Sequence, residues 1–167
     1  RQAARAACDP DLDAAGNRRT SAAQMPDDIA AEIQKELNAI VEGLHDAGVK
    51  EIVINDSHNH SRNLNSSLIP KAKIVTGWQR PYSMVSGVEK GFDACFFTGY
   101  HTMAGSKSTL SHTYRPRIIK QVKLNQKPVG EIGLNAALAG VFNVPVVLIS
   151  GDRETCAEGR NLLGKQI

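Results

Sequence analysis

Disulfide chemistry has little material in this 167-residue chain: its three cysteines, Cys8, Cys95 and Cys156, are an odd number. Their spacings match neither a disulfide framework nor a zinc finger, which points to a reducing, cytoplasmic compartment. No run approaches the about 18 apolar residues that would cross a bilayer, and the first residues lack the apolar stretch of a secretory signal. A membrane partner is therefore not expected. Charge of one sign is missing too. With 20 basic and 17 acidic residues the formal net charge is +3, too weak and too evenly spread to mark a nucleic-acid surface. Neither a phosphate-binding loop nor a GxGxxG turn follows any strand-like run, so nucleotide binding has no positive signal. Repeats, low-complexity tracts and interdomain linkers are also lacking. What is present, 41% hydrophobic and 22% charged residues, suits one ordinary globular core.

The first 24 residues hold almost no large apolar side chain except Leu12 and are expected to be a flexible segment. From Met25-Pro26-Asp27-Asp28 onward the pattern changes. Proline and acids at a helix start lead into Ile29, Ile33, Leu37, Ile40, Val41 and Leu44 at spacings of three and four, an amphipathic helix stopped at Gly48. Short apolar runs then alternate with helical ones. Strands are expected at 51–55, 73–76, 94–98 and 144–149, helices at 82–90 (broken by Gly87), 130–142 and 154–163. Residues 117–128 alternate and turn like a hairpin. Uninterrupted Val, Ile and Phe strands between helices predict an α/β fold: a mostly parallel sheet in a three-layer arrangement with helices on both faces, plus a β-hairpin excursion. Residues 25–167 are expected to form one domain, as part of a longer protein.

In open α/β sheets ligands bind beyond the carboxyl ends of the strands. Here those ends carry Asn55-Asp56-Ser57-His58-Asn59-His60, Gly99-Tyr100-His101 and Ser150-Gly151-Asp152. His45 stands apart, on the polar side of the first helix, and is read as solvated. Strand-end histidines with a nearby acid are the donor types that hold zinc at about 2.0–2.2 Å. Glu131, at a helix start between Gly130 and Gly133, reads equally as a ligand or as an acid favoured by the helix dipole. His112, in the polar segment 106–113, is a candidate acid, base or electrophilic donor, or an ordinary loop histidine.

Taken in order, Asn55-Asp56-Ser57-His58, Tyr82-Ser83-Met84-Val85-Ser86-Gly87, Gly99-Tyr100-His101, Leu110-Ser111-His112-Thr113 and Pro128-Val129-Gly130-Glu131-Ile132-Gly133-Leu134-Asn135-Ala136 resemble the successive motifs of the D-aminopeptidase (DppA) family, the M55 zinc metallopeptidases. The resemblance runs from about Ile29 to Leu163. It implies a zinc-dependent aminopeptidase that releases N-terminal D-amino acids from short peptides, with two zincs per complete site and a ring-forming homo-oligomer. By motif, His58, His101 and Glu131 match metal ligands and His112 matches the catalytic histidine. Two metals about 3.5–4 Å apart would polarise the scissile carbonyl and activate water. The chain departs from the family where an N-terminal strand ends in Asp-x-Glu: Asp9, Asp11 and Asp13 lack the preceding apolar run. The family's C-terminal part is also not matched. The expectation is therefore an aminopeptidase or an incomplete fragment of one. The alternatives are a non-catalytic α/β binding or assembly module and a metal-dependent hydrolase of another amide.

Overall fold

A computed structural model describes residues 27–59, 61–77 and 80–167; the expected flexible segment 1–24 lies outside them. The first element, α1 (Asp27–Asp46), follows the apolar stripe and ends with two hydrogen bonds of a Schellman turn, Gly48 N–H to the His45 carbonyl and Val49 N–H to Leu44. Of the stripe, Val41 is fully buried, and Ile33, Leu37, Ile40 and Leu44 are half-buried. Polar contacts complete its attachment. Glu36 accepts from Ser150 Oγ at 3.0 Å, and Gln34 from the Asn65 amide at 3.3 Å. His45 is exposed, as read. Among the described residues no helix is long and apolar enough to cross a membrane.

The fold is α/β, and the strand pairs run parallel as expected, β1 (Val53–Asn55) with β2 (Lys73–Val75) and β3 (Cys95–Tyr100) with β6 (Val146–Gly151). Among the described residues they form two separate ladders rather than one continuous sheet. The short strands explain part of this, because three-residue ladders leave few groups to pair onward. Between β2 and β3 the expected helix is two 3₁₀ turns, Ser83–Val85 and Val88–Lys90, separated by Ser86 and Gly87. The hairpin is shorter than the alternation suggested: β4 (Val122–Leu124) and β5 (Lys127–Val129) pair antiparallel around Asn125 and Gln126, both at positive φ (48° and 67°). That is the backbone of a tight two-residue hairpin turn. Residues 117–121 are not strand, because the chain coils after Pro116, with the Ile118 and Ile119 amides both bonded to the Arg115 carbonyl.

The core lies where β3 and β6 meet α2 (Glu131–Val141). Phe97, Val85, Val88, Ala139, Val144 and Val146 are buried together, and Tyr82 meets Phe142 edge-on at 4.9 Å. One irregularity in β3 decides where the next residues go. Gly99 has a φ of +65°, the register against β6 shifts between Phe97 and Tyr100, and the Gly99 amide bonds Ser150 Oγ instead of the ladder. In a regular strand residues three apart face opposite sides. The bulge brings Phe97 and Tyr100 to one side, their rings stacked at 4.6 Å, and re-aims the chain entering His101.

After β6, Asp152 caps α3 (Arg153–Leu163) by accepting from the Thr155 amide at 2.7 Å and from Thr155 Oγ1 at 2.6 Å. Its second oxygen accepts from Ser108 Oγ at 2.6 Å, tying in the loop before His112. The Ser108 and Thr155 bonds hold the Asp152 carboxyl down at about 2. A depressed native pKa stabilises above the unfolded value of about 3.9 and is lost as pH falls toward 2. Asp152→Ala should therefore lower the urea midpoint at neutral pH, and the gap between variant and wild type should narrow steadily from pH 4 to pH 2. A gap independent of pH would contradict this account of the cap.

Candidate metal centre

Three of the four site residues read from the sequence bear directly on one cluster. His101, His112 and Glu131 each place a ligand atom within 4.8 Å of the others, and among the described residues no second group of this kind occurs. His101 leaves the bulged end of β3. Glu131 opens α2, 4% exposed, where the helix dipole favours an acid. His112 arrives on the loop that returns across both, its amide bonded to the Thr102 carbonyl at 3.1 Å.

The two imidazoles stack, centroids 3.7 Å apart and planes inclined by 17°. Each is oriented by a backbone carbonyl: His101 Nδ1 lies 3.1 Å from the Thr102 oxygen and His112 Nδ1 2.8 Å from that of Leu110. A carbonyl only accepts, so both Nδ1 atoms carry the hydrogen and both Nε2 atoms are left for a ligand or a proton. Glu131 is held from the other side. Its Oε1 accepts the Tyr114 amide at 2.7 Å, and Oε2 faces His101 Nε2 at 3.6 Å, a charge pairing longer than a good hydrogen bond. Tyr114 turns its amide inward by adopting a φ of +51°, which a side chain rarely tolerates without compensation.

Electrostatics follow from these partners. Burial alone would lower the His101 pKa, but Glu131 and the Thr102 carbonyl outweigh it and hold the group above the ordinary histidine range. Burial would likewise raise Glu131, yet His101 and the Tyr114 amide bring it below the usual carboxylate range. Two Nε2 atoms with fixed tautomers and an ionised carboxylate are a donor set that fits zinc, which takes four ligands in its usual geometry.

His58 is not part of this cluster. It sits exposed on the loop after β1, which closes on itself around the buried Asp56: the carboxylate accepts the Asn63 amide, Asn63 Nδ2 and the Leu64 amide at 2.6, 2.7 and 2.9 Å. The His58 carbonyl caps the same turn, accepting from Ser61 N–H and Asn63 Nδ2. Arg80 braces the loop through Ser61 Oγ, the Asp56 carbonyl and the Asn55 side chain. Sequence reading missed Glu158 altogether. This acid of α3 is 9% exposed and its Oε2 accepts the Met103 amide at 2.9 Å. The signal was available, since Thr155, Glu158 and Leu162 fall at helical spacing and put the acid on the inward stripe.

Against known proteins, the sequence pattern of the M55 peptidases, described as D-aminopeptidase, matches residues 18–167. The chain belongs to the M55 family. A D-aminopeptidase of Bacillus subtilis (strain 168) is 35% identical over 130 residues, covering 77% of this chain and 47% of the relative. The solved structure of a Zn-dependent D-aminopeptidase, DppA from Bacillus subtilis, a self-compartmentalizing protease, matches with a TM-score of 0.76 at 33% identity. It covers 80% of this chain and 48% of that one. The chain thus spans about half the length of the M55 relatives it matches.

Because His101 holds its proton to a higher pH than an ordinary histidine, a cation at Nε2 has to displace it. Zinc added to the metal-free chain should release protons, and affinity should fall as pH drops through the His101 titration. Calorimetry in buffers of differing ionisation enthalpy checks this; proton release unchanged in His101→Gln would contradict it.

Proposed function

We propose that this chain forms a zinc-dependent aminopeptidase that releases N-terminal D-residues from short peptides, as one subunit of a homo-oligomer in the cytoplasm. The observation that carries the reading is the meeting of His101, His112 and Glu131 at the rim where β3 ends and α2 begins. Membership of the M55 family supports the peptidase class, and the likeness to the Zn-dependent, self-compartmentalizing D-aminopeptidase of Bacillus subtilis supports zinc, D-specificity and self-assembly.

In this reading His101 Nε2 and the Glu131 carboxylate would hold zinc, and His58 would be an additional ligand brought from the loop after β1. A second zinc would need donors beyond these. Zinc bound there supplies a Lewis acid for a peptide carbonyl and for water. His112 moves the proton: with Nδ1–H committed to Leu110, Nε2 is the atom that accepts or returns it beside the scissile group. Glu131 keeps its charge through Tyr114 N–H, and the stacked ring of His101 fixes the plane in which His112 works.

The test is hydrolysis by the zinc-loaded protein of D-alanine amide and its L counterpart, with bound zinc measured in parallel. D-selective turnover that chelation abolishes is expected; L-selective turnover or none would overturn the reading. His112→Ala should retain zinc and lose turnover, whereas loss of zinc would make His112 a ligand. His58→Ala and His101→Ala should each lose zinc, and full retention in His58→Ala would remove that residue from the ligand set.

A further inference from the structure

Glu158 has a feature that its bond to Met103 does not explain. Oε2 takes the Met103 amide, but the buried Oε1 has no hydrogen-bond partner among the described residues. An uncompensated carboxylate oxygen inside a protein is costly, and native folds keep few of them. Its surroundings are the two segments that carry the proposed ligands. Met103 follows His101 by two residues. On the other side, Gly130 immediately precedes Glu131, and a Cβ built there would stand 3.1 Å from Glu158 Oε1 and 2.6 Å from Met103 Cβ. The close approach of these backbones leaves no space for a side chain at 130, so Glu158 bears on both segments at once. The charges of Glu158 and His101 are also within mutual electrostatic reach.

We infer that Glu158 is a positioning residue for the metal centre: Oε2 fixes the turn after His101, and the unshared charge on Oε1 offsets the cation held by His101 and Glu131. This rests on the zinc reading above. A purely structural tie would need only a hydrogen-bond acceptor of the same shape, which an amide provides. A difference in zinc affinity between folded variants carrying the carboxylate and the amide therefore reads the charge itself.

The experiment is competition for zinc between the purified chain and a chromophoric chelator, on wild type, Glu158→Gln and His101→Ala, with circular dichroism to verify folding. Folded Glu158→Gln should bind zinc about ten- to a hundredfold more weakly, the usual effect of losing a group that supports a ligand. Glu158→Asp and Glu158→Asn repeat the comparison one methylene shorter, and Asp should bind more tightly than Asn. Equal affinities within each pair, with His101→Ala still weakened, would overturn the role of Glu158 alone. Zinc affinity unchanged in His101→Ala would overturn the metal reading and this inference with it.

Discussion

The pairing of a buried carboxylate with a half-buried imidazole, Glu131 against His101, is the constraint on which the rest of the arrangement depends. A charged group removed from water needs partners, or it loses its charge. Glu131 has three supports: the start of α2, the Tyr114 amide and the His101 ring. Each comes from a different part of the chain, so the acid stays ionised only when strand, loop and helix are all in place. The Gly99 bulge, the left-handed Tyr114 and the glycine before the helix read as consequences of that requirement. The first two are local departures from regular geometry and the third leaves out a side chain, and together they let three backbones converge.

The Thr102 carbonyl is the pivot of the convergence. It accepts from both His101 Nδ1–H and the His112 amide, so one peptide group sets the tautomer of one imidazole and the position of the other. Around it, two acids are driven in opposite directions. Glu131 is pulled below the carboxylate range, whereas burial pushes Glu158 up, opposed by the Met103 amide and the His101 charge. The difference lies in the number of donors each meets. Unequal surroundings thus move the pKa values of two neighbouring carboxyls apart.

The regular elements were readable because their signals are local. The stripe of α1, the Val- and Ile-rich strands and the strong start of α2 all announced themselves by spacing. Strand ends pointed to His101, and a helix start pointed to Glu131. The sequence could not tell that a glycine bulge would end β3, that short ladders would stay separate, or that residues 117–121 would coil after Pro116. Those outcomes are set by tertiary contacts between distant segments. The same limit applies to the site. No spacing rule shows that His112 stacks on His101, and motif likeness assigned His58 a place that the described cluster does not include. Glu158 lay on a visible helical stripe but was overlooked, because an acid in an amphipathic helix ordinarily faces solvent.

Family membership places the chain in the M55 family, but it is the convergence of two imidazoles and a carboxylate that gives the proposed zinc chemistry its residues. Zinc K-edge absorption on the chain loaded with zinc tests that convergence most directly. The account predicts nitrogen and oxygen neighbours at about 2.0–2.2 Å with imidazole outer-shell scattering that weakens in His101→Ala. A sulfur shell at about 2.3 Å, or an imidazole signal indifferent to the loss of His101, would contradict it.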